Sequence, residues 1–180
     1  MYRIITVCTG NICRSPMAEL MLTRAFEEAG MADDVEVDSA GTTGWEAGRP
    51  IDERAATKLS ELGIESHLHR ARRFEPEWYR ERDLILALDL DHYSELRTDA
   101  PDDDARDRIH LLREFDPSTT DVELDKLGIY DPWYGDASDF DATWRLVDGA
   151  VTGVVRYVAN ELYDDDVDDP DGDADTATDD

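Results

Sequence analysis

The possible folds of this chain are constrained most by one short segment. In it, an apolar strand leads directly into a glycine-containing loop, and the loop leads into a helix. Residues 4–7 are apolar or β-branched, as a buried strand requires. The following residues read CTGNICRSP, with Cys8 at the start and Arg14 six positions later. Apolar residues then recur at helical spacing up to Gly30. This order predicts a loop at the carboxyl end of a strand, where open α/β sheets bind ligands.

The rest of the chain alternates between strand and helix patterns. After the first helix, which we predict to start at Ser15, strands are predicted over residues 35–39, 84–88 and 109–112, and helices over residues 54–62, 92–97 and 140–163. We therefore predict an α/β fold with one parallel sheet of about four strands and helices on both faces. The predicted domain spans residues 1–163.

Acidic residues dominate the composition. The chain has 45 Asp and Glu against 18 Lys and Arg, a net charge of −27. Residues 164–180 hold ten aspartates and no base, and we predict a disordered acidic tail there. The remaining −17 is spread over the fold, and such self-repulsion destabilises a compact state unless salt screens it. We therefore expect a halophilic protein, and a basic patch for nucleic acid is disfavoured.

The sequence carries no signal for a membrane or for an oxidising compartment. No apolar run is long enough for a membrane-spanning helix, and the strand at residue 4 begins before any signal-peptide core could form. Two cysteines, one of them inside the loop, do not make a disulfide framework. We expect a cytoplasmic protein that binds neither membrane nor nucleic acid.

The loop combines the groups that hold a tetrahedral oxyanion. The thiolate of a cysteine is a nucleophile, and N–H groups that close onto a helix N-terminus favour thiolates and bind dianions. Arg14 can hold two phosphate oxygens in a bidentate fork, and Gly10 lets the backbone approach the ligand. Ser15 can donate its hydroxyl to the Cys8 sulfur. These residues predict an enzyme that takes phosphate from a monoester by way of a cysteine.

The loop and several later segments closely resemble the low-molecular-weight protein tyrosine phosphatase family. The resemblance covers residues 2 to about 162. Its segments, in family order, are VCTGNICRSPMAE at 7–19, SAGT at 39–42 with Trp45, DERA at 52–55, HRAR at 69–72, DPWYG at 131–135 and SDF at 138–140. It implies a two-step mechanism without metal or cofactor, in which Cys8 forms a cysteinyl phosphate. Asp131 would protonate the leaving phenolate and then take a proton from the hydrolytic water.

The resemblance also implies roles for the residues around this loop. Phosphate would be bound by the residues that follow Cys8, namely Thr9, Gly10, Asn11, Ile12, Cys13, Arg14 and Ser15. The aromatic walls of a deep slot that selects phosphotyrosine would be Trp45, Trp133 and Tyr134, although core packing is an alternative for all three. A supporting hydrogen-bond network would contain Asn11, Ser39 and His69. A general acid at neutral pH implies that Asp131 is buried near the aromatics or the bound phosphate.

Cys13 has two interpretations. In the family such a neighbour often forms a reversible disulfide with the nucleophile, and a curled loop permits the required spacing. The alternative is a passive small side chain. Cys13 is not a second nucleophile of the same design, because the residue six positions after it is Glu19.

Three other functions stay open at this point. Arsenate reductases of this fold need two further cysteines, and none follows Cys13. Protein arginine phosphatases typically carry Thr where this chain has Ile12. A non-catalytic phosphotyrosine-binding module would lack the cysteine, the arginine or the acid, and all three candidates are present. The predicted partner is a tyrosine-phosphorylated protein, with no signal for a particular oligomeric state.

Overall fold

One parallel sheet organises the molecule. The computed structural model describes residues 1–163, so the predicted acidic tail at 164–180 lies outside the described residues. The strands are β1 (Tyr2–Cys8), β2 (Val35–Gly41), β3 (Leu84–Ala87) and β4 (Ile109–Leu111). Their order in the sheet is β2-β1-β3-β4, and every pair is parallel. The predicted parallel sheet of four strands is confirmed.

Helices and short turns connect the strands. The helices are α1 (Arg14–Glu28), α2 (Glu53–Glu61), α3 (Trp78–Glu81), α4 (Leu90–Asp99), α5 (Asp103–Asp107) and α6 (Ala137–Tyr163). Turns of 3-10 helix occupy the stretch between β4 and α6, at Leu112–Phe115, Pro117–Thr119, Leu124–Lys126 and Pro132–Tyr134. The sequence did not predict α3 and α5, because helices of four and five residues are too short to show a period. No helix within residues 1–163 has the length and hydropathy to cross a membrane.

Side chains near two helix starts explain why α4 and α6 begin earlier than predicted. The Asp89 carboxylate accepts the N–H groups of Asp91 and His92, so α4 starts at Leu90 rather than His92. The Asp136 carboxylate accepts the Ser138 N–H at 2.8 Å, so α6 starts before residue 140. An oxygen acceptor at a helix start satisfies N–H groups that have no partner within the helix.

Two apolar layers cover the sheet, one on each face. Ile4 of β1 belongs to the cluster formed with α1 and α6, whereas its neighbour Ile5 packs into the cluster that includes Leu96 of α4. Successive strand residues face opposite sides, so β1 and β3 need apolar residues throughout. Each fully buried Leu or Ile side chain contributes about 1.5–3 kcal/mol through its removal from water.

The strand order places a crevice at the carboxyl end of β1. The chain leaves β1 into α1 on one face, and it leaves β3 into α4 on the other face. The two connections therefore part above the β1–β3 pair, which is where open α/β sheets bind ligands. Cys8, the last residue of β1, lies at this point.

Candidate active site

Cys8, Arg14 and Asp131 line one cavity of about 130 Å³, although the last is more than a hundred residues from the first. The other lining residues are Thr9, Gly10, Ile12, Cys13, Trp45, Glu46, Trp133 and Tyr134. The structure thus brings the predicted nucleophile, the guanidinium, the predicted acid and the three predicted aromatics to one place. Glu46 was not predicted from the sequence, although it directly follows Trp45.

The Cys8 sulfur is buried and faces a hydroxyl group. Its Sγ lies 3.1 Å from Ser15 Oγ, which also accepts from Asn11 Nδ2 at 2.9 Å and lies 3.2 Å from the Ala40 carbonyl oxygen. The Ser15 proton can therefore point at the sulfur when Cys8 is ionised and at the carbonyl when the thiol itself donates. The helix α1 starts at Arg14 rather than at Ser15 as predicted, with Cys13 at the N-cap position and no side chain capping the helix.

The loop backbone forms a set of donors without protein partners. Within residues 1–163, no N–H group from Gly10 to Ser15 donates to a protein acceptor. Asn11 has a φ of 57°, the left-handed conformation that Asn tolerates better than most residues. A left-handed residue within such a turn aims successive N–H groups into one concavity, which is an anion-binding arrangement.

The Asn11 side chain holds this conformation in place. Its Nδ2 donates to Ser15 Oγ at 2.9 Å and to Ser39 Oγ at 2.7 Å, and its Oδ1 accepts the Arg72 N–H at 2.9 Å. Its main-chain carbonyl contacts His69 Nε2 at 2.8 Å. All the polar atoms of the amide are thus paired, so the amide specifies one loop shape.

Glu19 adds a charge to this network that the sequence analysis did not assign. Its carboxylate accepts the hydroxyl of Ser39 and lies 3.7 Å from His69 Nδ1. Glu19 is in α1, four residues after Ser15, and residues at this spacing lie on the same face of a helix. This spacing is the sequence signal that could have identified it. The carboxylate orients the Ser39 hydroxyl, which leaves the Ser39 oxygen to accept from Asn11.

Arg14 is held between two carboxylates at the edge of the cavity. Its side chain is only 3% exposed, and Nη1 donates to Asp89 Oδ2 at 2.5 Å and to the Ile129 carbonyl at 2.9 Å. Nη2 donates to Asp131 Oδ2 at 2.9 Å. Within the described residues, the buried Nε–H has no partner. A buried donor of this kind is costly unless a ligand supplies the acceptor.

Asp131 lies at the mouth of the cavity and not in its interior. Its side chain is 38% exposed and ion-paired with Arg14, so the carboxyl is not buried among the aromatics, and burial against a bound phosphate stays a prediction. Its other oxygen accepts the Trp133 N–H at 3.1 Å and starts the turn Pro132–Tyr134. The aromatic side chains of this turn are exposed to solvent, and Tyr134 is 91% exposed.

The aromatic residues form an exposed rim. Trp45 is 83% exposed, which rules out core packing, and Trp133 is 39% exposed. The three aromatic side chains thus lie around the mouth of the cavity, and the deep slot stays a prediction. Arg54 fixes the Trp133 side of this rim, because it donates to the carbonyls of Trp133 at 3.3 Å and of Gly135 at 2.8 Å. Its guanidinium is paired with Asp52 and also lies 4.5 Å above the ring of Phe140.

Cys13 differs chemically from Cys8 in its surroundings. It is buried beside the cavity, and burial, followed by the charge of Asp52, raises the pKa of its thiol well above the usual range. Both cysteines are free thiols in the structure. At neutral pH Cys13 therefore stays protonated, and a protonated thiol is a poor nucleophile.

Comparisons with known proteins agree with this geometry. Residues 3–165 match the family model described as low molecular weight phosphotyrosine protein phosphatase. The chain is 40% identical over 161 residues to a low molecular weight protein-tyrosine-phosphatase of Streptomyces coelicolor, covering 89% of this chain and 96% of that one. It is also 40% identical to the low molecular weight protein-tyrosine phosphatase A of Mycobacterium tuberculosis, covering 87% of this chain and 91% of that one.

A solved structure extends the agreement from sequence to fold. A protein tyrosine phosphatase from Entamoeba histolytica, crystallised with Hepes in its active site, superposes with a TM-score of 0.81 at 25% identity. The alignment covers 90% of this chain and 99% of the other. The resemblance first seen in the loop is therefore confirmed over nearly the whole chain. This chain belongs to the low molecular weight phosphotyrosine protein phosphatase family.

Proposed function

We propose that this protein hydrolyses phosphotyrosine in proteins through a cysteinyl-phosphate intermediate, without a metal. The observation that carries the proposal is the loop itself. Cys8 stands at its start, Arg14 closes it, and the N–H groups between them have no protein acceptor within residues 1–163. Fixed donors around three equatorial oxygens stabilise the charge that develops in phosphoryl transfer.

In the first step the Cys8 thiolate attacks phosphorus and the bond to the phenolic oxygen breaks. Arg14 binds the equatorial oxygens, with its unpaired Nε–H as one donor. In the structure, Arg14 Nη2 donates to the Asp131 carboxylate at 2.9 Å. An incoming phosphate dianion competes with this carboxylate for Nη2. Once released from that ion pair, the Asp131 carboxylate takes up a proton from water and then gives it to the departing phenolate.

In the second step water attacks the phosphorus of the cysteinyl phosphate. Asp131, now ionised, takes a proton from this water, and the Cys8 sulfur leaves as a thiolate. Ser15 Oγ lies 3.1 Å from that sulfur and can donate to it as negative charge returns. The products are inorganic phosphate and the regenerated enzyme, so no co-reactant besides water is needed.

The aromatic rim supports an aryl substrate. Trp45, Trp133 and Tyr134 line the same cavity as Cys8 while remaining exposed at its mouth. A phosphotyrosine ring is long enough to place its phosphate in the loop while its faces contact these side chains. Phosphoserine has no ring to make those contacts.

The first test is turnover of p-nitrophenyl phosphate and a phosphotyrosine peptide in concentrated KCl with EDTA. Wild type runs beside Cys8→Ser and Asp131→Asn. We expect turnover in EDTA, its loss in Cys8→Ser and a strong decrease in Asp131→Asn. Phosphoarginine is the comparison substrate, and its hydrolysis at the rate of the aryl phosphate would point to an arginine phosphatase instead. Binding of the phosphopeptide without turnover would indicate a binding module.

We also propose that the protein works in a salt-rich cytoplasm. The support is the net charge of −27 and two thiols that a reducing compartment would keep free. The partner would be a tyrosine-phosphorylated protein. Both the surface and the tail carry negative charge, which disfavours nucleic acid as a partner.

A further inference from the structure

A buried histidine contacts the loop beside the nucleophile, and the mechanism above does not use it. His92 lies in the first turn of α4, and its side chain is 3% exposed. Its Nε2 lies 2.8 Å from Thr9 Oγ1, and Thr9 directly follows Cys8. The main chain of Thr9 is held as well, because its carbonyl accepts the hydroxyl and the N–H of Thr43 at 3.0 and 3.1 Å.

Asp89 links the same histidine to Arg14. One carboxylate oxygen accepts from Arg14 Nη1, and the other accepts the N–H groups of Asp91 and His92 at 3.0 and 3.2 Å. This second oxygen also lies 3.1 Å from His92 Nδ1. The contact is not a hydrogen bond, and within the described residues Nδ1 has no hydrogen-bond partner. The proximity still favours the tautomer with its proton on Nδ1, because a lone pair there would face the lone pairs of a carboxylate.

In this tautomer the ring accepts at Nε2. Thr9 then has to donate its hydroxyl proton to Nε2, so its lone pairs are left for Arg14 Nη2 at 3.5 Å. Burial lowers the pKa of His92 to about 4, with Arg14 acting in the same direction and Asp89 against it, and the ring is neutral at neutral pH. His92 thereby sets the direction of the Thr9 hydroxyl.

We propose that His92 is a positioning residue for the phosphate site, which it serves by holding Thr9 and Asp89 in one arrangement. Thr9 belongs to the loop that would surround the phosphate, and Asp89 orients the guanidinium that would grip it. Donors contribute most to catalysis when they are fixed before the charge develops. The inference rests on the proposed function, since it concerns how that site handles a phosphate.

The test removes each half of the His92–Thr9 contact. His92→Leu removes both ring nitrogens, and Thr9→Val removes the hydroxyl while keeping the shape of the side chain. We expect kcat on p-nitrophenyl phosphate to fall about tenfold in each variant, because small misplacements of reacting groups are costly. The double variant should be no slower than the slower single variant, because both changes break the same contact. His110→Leu is the control: His110 is another histidine beside a carboxylate, 3.3 Å from Glu114, and lies away from the cavity.

Two further measurements separate positioning from general stability. Affinity for orthovanadate should fall in His92→Leu and Thr9→Val, and His92→Gln should recover part of it by offering an amide oxygen to Thr9. The melting temperature of each full-length variant reports folding. Unchanged kcat and vanadate affinity would overturn the inference, as would additive losses or a kcat loss that only follows the melting temperature. If wild type hydrolyses neither p-nitrophenyl phosphate nor the phosphotyrosine peptide, the proposed function fails. The vanadate affinities alone then decide the role of His92.

Discussion

At the scale of single residues, the two cysteines of the loop sit in different environments although only five positions separate them. Cys8 faces the hydroxyl of Ser15, whereas Cys13 has no such donor among its described contacts and is buried near the charge of Asp52. The same loop can thus keep one sulfur available for attack and the other protonated. This difference makes their reactivity separable by experiment.

Alkylation should distinguish the two thiols. Because the pKa of Cys13 is raised by burial, its reactive thiolate is depleted at neutral pH and forms only as the pH rises above the ordinary thiol range. We expect iodoacetamide at pH about 7 to label Cys8 and to leave Cys13 unlabelled, as measured by mass spectrometry of peptides. Cys8→Ser should show almost no labelling until guanidinium unfolds it. Rapid labelling of Cys13 in folded Cys8→Ser would contradict this assignment.

The Ser15 hydroxyl should contribute directly to the reactivity of the sulfur. Ser15→Ala removes the donor 3.1 Å from Cys8 Sγ and leaves Asn11 Nδ2 without one of its acceptors. We expect kcat to fall about tenfold, which corresponds to the loss of one hydrogen bond to a charged group. Alkylation of Cys8 at neutral pH should slow in parallel. Thr23→Ala is a matched control, because its hydroxyl bonds only to a carbonyl within α1. Equal alkylation rates in Ser15→Ala and wild type would exclude this role.

The residues that the sequence missed show where local patterns stop being informative. Cys8 and Arg14 were predicted because they lie close together around one loop, and Asp131 was predicted through the family resemblance of its segment. Asp89 and His92 come near Arg14 only because β3 pairs with β1, and sequence alone did not establish which strands are neighbours. With 45 acidic residues, composition cannot single out Asp89. Its place directly after a buried strand was the available signal.

At the scale of elements, the segment that carries Asp131 depends on α2. Arg54 of α2 donates to the carbonyls of Trp133 and Gly135, and it is itself paired with Asp52. These contacts use several donors of one planar group, which a lysine ammonium cannot reproduce. A helix from another part of the chain therefore acts as a brace, because it holds the turn that begins at Asp131. The sequence pattern of neither segment predicted this contact.

Loosening this brace should impair protonation of the leaving group more than attack by the sulfur. We expect Arg54→Lys to lower kcat more for phenyl phosphate than for p-nitrophenyl phosphate, because the phenolate of the former is more basic and needs the acid more. The ratio of the two kcat values is the measurement. Arg24→Lys serves as control, since Arg24 is exposed and pairs with Glu28 on α1. An equal decrease for both substrates would mean that Arg54 supports folding only.

The contact between α6 and the chain after β4 is close enough to require glycine. A Cβ on Gly153 would lie 1.7 Å from the Phe115 carbonyl oxygen, whereas one on Gly149 would meet the carboxylate of Asp116 at 2.8 Å. Backbone yields less readily than a side-chain end. We expect Gly153→Ala to lower the free energy of unfolding by about 2–3 kcal/mol, although alanine has a better helix propensity than glycine. Gly149→Ala should lower the free energy of unfolding by less in the same urea titration, and the reverse order would show that the backbone near Gly153 can move to admit a Cβ.

At the scale of the whole molecule, repulsion among the excess acidic side chains opposes the compact folded state. Of the −27 net charge, −17 belongs to residues 1–163, and many of these acidic side chains are exposed. Sixteen of the 18 basic residues are arginines, and several of these are committed to ion pairs such as Arg72 and Arg82 with Asp38. These arginines are thus used within the structure, while the excess acids have only solvent and its ions to screen them.

Salt should therefore stabilise the protein by screening. We expect the melting temperature to rise between about 0.1 M and about 1 M KCl, over which the Debye length falls from roughly 10 Å to roughly 3 Å. A variant in which exposed acids are made neutral, Glu27→Gln, Glu65→Gln, Glu75→Gln and Glu77→Gln, should melt higher than wild type at low salt and gain less from KCl. Differential scanning calorimetry of both proteins across the KCl series gives the two slopes. A wild-type melting temperature that is the same at both salt concentrations would contradict salt adaptation, and equal slopes for the two proteins would show that surface repulsion is not its cause.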